Sequence, residues 1–207
     1  MTQVFLSYRT ADQPFAATFL DQELSRVFGE DAVFFASRSI PLGADWEKTM
    51  FDAVAASEAV LVIIGPHWLT VTDSTGRRRL DDPEDFVRRE VAYGLELGKQ
   101  VIPLHLERRH RLDPDTLPDP LRALAGKQGT VVQFRNTKPD LARLVTQLRR
   151  QVPALAAARA TVAPGPASNA ATFDNSTHTT IGRVNGNVVQ NGRQIGGIFI
   201  GGTSIGD

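Results

Sequence analysis

Along residues 1–152, short apolar runs alternate with longer stretches of helical spacing. Val4–Leu6, Ala32–Phe35, Ala59–Gly65, Gln100–Leu106 and Val131–Phe134 have the length of strands. The third, AVLVIIG, is apolar on both faces, the pattern of a central parallel strand covered from both sides. Asp12–Phe28 has helical spacing, with Phe15, Phe19, Leu20, Leu24, Val27 and Phe28 on one side and Gly29 as its stop. Trp46–Ser57 forms a second helix with Trp46, Met50 and Val54 facing in. Glu84–Leu97 forms a third before Gly98, and Asp140–Val152 a closing amphipathic one. Thr70–Pro83 reads as a polar loop.

Strands that alternate with helices imply right-handed βαβ units and a parallel sheet. The expected class is α/β: a flavodoxin-like open five-stranded parallel sheet with helices on both faces. Such sheets bind ligands outside the C-terminal ends of their strands, here the loops after Leu6, Phe35, Gly65 and Leu106. The pattern changes after Val152. Residues 153–180 are rich in Ala, Pro, Ser and Thr and read as a flexible linker. Residues 181–202 are apolar, β-prone and rich in Gly and Asn, and 203–207 are terminal residues. In that tail Val184–Gln190 and Gln194–Ile200 flank Asn191-Gly192, a strong turn signal.

The 207 residues are 42% hydrophobic and 22% charged, with a formal net charge of zero. No basic excess points to nucleic acid or to an anionic membrane surface. The chain has no cysteine, which excludes disulfides and Cys-ligated zinc and fits a cytoplasmic location. Its start lacks the basic and apolar regions of a signal peptide, and its longest fully apolar run, Ala59–Ile64, is too short to cross a bilayer. His67, His105, His110 and His178 show no ligand spacing, so no metal is expected. There is no P-loop or GxGxxG, and Ser7 lacks a nucleophile elbow. Arg77–Arg79 stands beside Asp81 and Asp82 and reads as a solvated loop.

Three stretches, in order and spacing, resemble TIR domains: VFLSYRTAD (Val4–Asp12), VFFASRSIPLGADW (Val33–Trp46) and DFVRREVAYGLELGKQVIPLHL (Asp85–Leu106). The resemblance covers roughly residues 1–150, and its domain is bounded at 1–152. It implies one of two functions. Some TIR domains are scaffolds that recruit other TIR domains. Others, many of them bacterial or plant, cleave the nicotinamide–ribose bond of NAD+ with a glutamate in an aromatic-x-x-x-Glu pattern. Here that pattern falls on Phe86 and Glu90, with Phe where the family usually has Trp.

The resemblance makes Glu90 the catalytic residue and Phe86, Arg9, Ser7, Phe35 and Trp46 substrate-binding. Trp46 is also read as packing at its helix start. NAD+ enters as substrate, and no cofactor is called for. Phe86 and Glu90, four apart, share a helix face, so a ring can stack on a base while the carboxylate meets the sugar. Breaking an N-glycosidic bond builds positive charge on the ribose, which a carboxylate stabilises. Nicotinamide leaves as a neutral molecule and needs no acid partner.

The family's loop after the second strand contacts neighbouring domains, so Ile40 and Leu42 are the expected TIR–TIR contacts. The tail's VVQNG resembles the core of RHIM-like amyloid signalling motifs found on bacterial defence effectors and their sensors. Val188, Val189, Gln190 and Gly192 are its expected assembly residues. The expectation is an NAD+-cleaving effector of bacterial immunity, self-associated through its TIR domain and tail and templated by a sensor with a matching motif. The alternatives are a non-catalytic TIR scaffold and a domain that binds a nucleotide signal without cleaving it.

Overall fold

In the computed structural model, which describes residues 2–157, 181–184 and 187–190, strands and helices alternate along the first of two units, Met1–Pro164. β1 (Val4–Ser7) leads to α1 (Pro14–Phe28), and β2 (Val33–Phe34) to the single turn α2 (Ala36–Ser39) and then α3 (Trp46–Ala56). β3 (Ala59–Ile64) leads through a long loop to α4 (Phe86–Glu96), and β4 (Gln100–Leu106) to the short α5 (Arg122–Ala125). β5 (Thr130–Val132) leads to α6 (Thr137–Gln151) and α7 (Pro153–Ala157).

All five strands pair in parallel, in the order β2-β1-β3-β4-β5. Alternate side chains of β1 and β3 enter two separate cores. Val4, Leu6, Leu61 and Ile63 meet α1 and α6 on one face. Phe5, Val60, Val62 and Ile64 meet α3 and α4 on the other. This is the expected flavodoxin-like architecture, and the doubly apolar β3 is its centre. Gly94 lets α4 lie close on the sheet, since a Cβ there would stand 3.1 Å from Val60 Cγ2. The chain leaves β1 toward β2 on one side and returns to β3 on the other. The crevice of such a sheet opens at that reversal, beyond the C-terminal end of β1.

Several boundaries move for identifiable reasons. α1 starts at Pro14 rather than Asp12, because the Asp12 carboxylate accepts from the backbone N–H groups of Gly65 (2.8 Å) and His67 (2.9 Å). That latch joins the loops after β1 and β3. Phe15, expected inside, is 87% exposed on the first turn of α1. β5 ends at Val132, and Phe134 begins a short turn instead. The loop 70–83 is less polar than it reads, since Leu80 and the nearby Trp68 are fully buried in the α3–α4 core. The stretch expected to be linker from Pro153 begins as α7, with Val152 and Leu155 buried in the α1–α6 core.

In the second unit, Gly165–Asp207, β6 (Ile181–Val184) pairs antiparallel with β7 (Asn187–Gln190), in the register Ile181↔Gln190 and Val184↔Asn187. Val184–Gln190 is therefore not one continuous run. Asn185-Gly186 stands between the two strands in sequence. Gly192, the Asn191-Gly192 turn and Gln194–Ile200 lie outside the described residues.

Candidate active site

The site is built at the start of α4. Asp85 caps this helix by accepting from the Arg88 N–H at 3.0 Å. The same carboxylate takes both arms of the Arg9 guanidinium, at 2.9 and 2.8 Å, and Nε of Arg79 at 3.0 Å. Arg9 follows β1 and is only 4% exposed, so the pair ties the loop after β1 to the helix start from within. Burial alone would raise the Asp85 carboxyl. Arg9, the Arg88 N–H and Arg79 outweigh it and hold the group below the usual carboxylate range. The bidentate geometry suits this task, since arginine's planar fork matches a carboxylate.

One turn further along α4, Glu90 is 7% exposed, and its Oε2 lies 2.6 Å from the hydroxyl of Ser7 at the end of β1. Burial pushes its carboxyl up to about 8, with the Asp85 charge adding to the rise and Ser7 and Arg9 opposing it. Neither neighbouring arginine pairs with it. Arg88 donates to the Leu80 carbonyl at 3.2 Å, and Arg89 binds Glu47 and lies over the rings of Phe51 and Phe86. Glu90 is thus not a solvated helix charge. A buried carboxyl with a perturbed pKa in a cleft is a candidate functional group.

Beside Glu90 stands an aromatic pair. The Trp46 ring meets Phe86 edge-on, with centroids 4.2 Å apart. Trp46 does not pack in the core: it is 44% exposed and lines the cleft with Phe86 and Glu90. The cleft has a volume of about 640 Å³, within the range of small-molecule sites. Tyr8, Arg9 and Ile40 also line it, as do Asp85 and Arg79.

The structure thus brings Glu90, Phe86, Arg9 and Trp46 to one cavity, with Ser7 behind Glu90. Phe35, expected to bind substrate, is a correction. It is buried in the α1–α6 core with its ring 5.1 Å from Tyr8, and so supports the wall without forming it. The physical reason is that β2 ends at Phe34 and α2 begins at once, which keeps Phe35 turned inward. Ile40 is half-buried against the α3–α4 core and lines the cleft, whereas Leu42 is fully exposed. Val188, Val189 and Gln190 lie on β7 in the second unit.

Sequence reasoning missed Asp85, Tyr8 and Arg79 as site residues. An aspartate directly before a helical run is a cap signal, and Arg9 at a strand end was its available partner. Arg79 had no such signal. It belongs to a run whose other members pair with Asp81 and Asp82, but it turns to Asp85 instead.

The family model for TIR domains matches residues 4–148. No curated protein matches the chain. Among solved structures, the TIR domain of a Toll-related receptor from Hydra magnipapillata aligns with a TM-score of 0.45 and 17% identity, over 73% of this chain and 98% of that one. A TIR-STING receptor from C. gigas, solved in complex with 2',3'-cGAMP, aligns at 0.43 and 16% identity, over 73% of this chain and 38% of that one. The TIR domains of the activated Roq1 resistosome align at 0.39 and 17% identity, over 85% and 93%.

Proposed function

The chain belongs to the TIR domain family, and on that premise we propose that it cleaves the nicotinamide–ribose bond of NAD+ with Glu90 as catalytic residue. The observation that carries this reading is the buried Glu90 carboxyl, bonded to Ser7 on the wall of a cavity that also holds the Phe86–Trp46 pair.

The chemistry follows from the charges. Near neutral pH burial holds Glu90 largely protonated, its carboxyl being pushed up to about 8. NAD+ brings a cationic pyridinium into the cleft, and its charge beside the carboxyl favours the ionised form. As the C–N bond breaks, its electron pair goes to the ring nitrogen and nicotinamide leaves neutral. The ribose gains the positive charge, and the Glu90 carboxylate stabilises it or bonds to the anomeric carbon. Water then adds its hydroxyl there and releases a proton, which gives linear ADP-ribose. Attack by a nitrogen of the substrate's own adenine gives a cyclic product. Ser7 holds the carboxylate in place, and the Phe86–Trp46 pair offers a stacking surface. Arg9 is committed to Asp85 and orders the pocket.

Activity in this reading depends on assembly through Leu42 and the tail, in a bacterial cytoplasm, with a sensor that presents a matching motif. A flexible connection raises local concentration without new contacts. The test is release of nicotinamide from NAD+ by concentrated protein beside Glu90→Gln. Release by the wild type alone supports the enzyme, and release by both refutes Glu90. Release by neither, with assembly intact, leaves the scaffold, which the Phe at position 86 favours.

A further inference from the structure

A second cavity, of about 320 Å³, lies beyond the C-terminal end of β4 and is lined by His105, Arg109, His110, Arg111 and Lys127. We propose that it is an anion site that takes a small phosphate monoester. The proposal does not rest on the reading of the Glu90 cleft.

Two basic runs in this chain are handled in opposite ways. Arg77, Arg78 and Arg79 pair with Asp82, Asp81 and Asp85 in turn. Arg109, Arg111 and Lys127 pair with no carboxylate among the described residues, although the chain's net charge is zero. The one acidic residue in that run, Glu107, is turned away, and its carboxylate accepts from the Phe134 N–H at 3.0 Å. Its backbone takes a left-handed φ of 63°, unfavourable for a residue with a Cβ. That bend folds the following loop back over the strand end. Arg109 is then fixed by donating to the Gly129 carbonyl at 3.0 Å, and the His110 N–H reaches Nδ1 of His105 at 3.3 Å.

That last bond settles the tautomer of His105. Its Nδ1 accepts, so its Nε2 carries the proton. Nε2–H has no acceptor among the described residues, although the side chain is 3% exposed and lines the cavity. An N–H on a cavity wall with no protein acceptor is free to donate to a ligand atom. Burial, Arg109 and His110 all keep this imidazole neutral, so it serves as a fixed donor while the arginines and lysine supply charge. Three cations and one oriented N–H around a compact space match a dianionic phosphoryl group, for which arginine's fork is suited. The volume accommodates a mononucleotide or sugar phosphate rather than a dinucleotide.

The test titrates the full chain with inorganic phosphate, with adenosine 5'-monophosphate and with uncharged adenosine, read by calorimetry and by histidine side-chain NMR. Both phosphates are expected to bind saturably and to shift the His105 and His110 resonances, and adenosine is not. Equal affinity for the two phosphates assigns the site to free phosphate and overturns the monoester. R109Q/R111Q is expected to weaken binding at least tenfold. Because Arg109 also holds Gly129, R111Q/K127Q provides a second variant that disturbs no such bond, with the same expected loss. Absence of saturable binding overturns the proposal. So does unchanged affinity in R111Q/K127Q, or loss of binding in Glu90→Gln, which would assign the ligand to the other cleft.

Discussion

Ser7 and Glu90 stand 83 positions apart in sequence and 2.6 Å apart in the fold. The parallel sheet makes that meeting possible. β1, between β2 and β3, ends at Ser7, and α4 crosses above it with Glu90 one turn inside its capped start. The carboxyl is desolvated by the same packing that positions it, and its titration therefore reports on the fold as well as the chemistry.

The first prediction concerns stability against pH. The folded Glu90 carboxyl is pushed up to about 8 by burial, from an ordinary value of 4.5. Below 4.5 both folded and unfolded chains carry the proton. Between the two values the unfolded chain has lost it and the folded chain keeps it, so stability falls as pH rises and levels off above 8. Each pH unit in that window costs at most about 1.4 kcal/mol. Wild type is therefore expected to lose about 2–4 kcal/mol relative to Glu90→Gln between pH 5 and 9. Parallel denaturant titrations of the two proteins read the difference, and identical pH profiles would refute it.

The second prediction concerns the Arg9–Asp85 pair. Removing one partner of a buried pair costs about 3–5 kcal/mol, because the other charge is stranded. Asp85→Asn keeps a good helix cap and removes only the charge, which Arg9 and Arg79 share, and the double-mutant cycle isolates the Arg9 share. It is expected to lower stability by about 3 kcal/mol, and adding Arg9→Met to it is expected to cost much less than Arg9→Met alone. Additive losses in this double-mutant cycle would mean that the two residues act separately.

The third prediction uses the two tryptophans. Trp68 is fully buried, whereas Trp46 lines the cleft. A dinucleotide stacked in the cleft is expected to quench Trp46 fluorescence and leave Trp68 unchanged. The signal should disappear in Trp46→Phe with the melting temperature preserved within a few degrees. Persistence of the quench in that variant would place the ligand elsewhere.

The fold was legible because its signals are local and periodic. The doubly apolar β3 and the alternation of elements sufficed for a five-stranded parallel sheet. The site was legible only in part. Glu90, Phe86, Ser7 and Arg9 carried the family's spacing, but Asp85 owes its place to a contact across 76 positions that no local pattern encodes. Phe15 and Trp46 were assigned to helix interiors by spacing, and both lie on first turns, where the core no longer covers the helix. In the tail, two Asn-Gly pairs compete for one turn, and composition does not choose between them.

A fourth prediction follows from Leu42, fully exposed in the loop before α3. A side chain that touches nothing in its own domain contributes little to stability, so Leu42→Glu is expected to shift unfolding by no more than about 0.5 kcal/mol. If the loop is a contact between copies, the same change should lower self-association at high concentration in sedimentation and lower any NAD+ turnover in step. Reduced turnover with unchanged sedimentation would instead place Leu42 at the substrate.

The last prediction concerns the tail as an assembling segment. β6 and β7 form a two-stranded hairpin of four residues each, which alone is marginal in water. A hairpin leaves the outer edges of its two strands unpaired, and further copies can add there. Stacked copies would satisfy those edges and build ladders of Asn and Gln. A peptide of residues 181–202 is expected to form thioflavin-positive fibrils after a lag that its own seeds shorten. Val188→Asp with Val189→Asp puts like charges at every layer and is expected to abolish growth. A peptide that stays monomeric at millimolar concentration would end the amyloid reading and leave the TIR domain as the only assembling part.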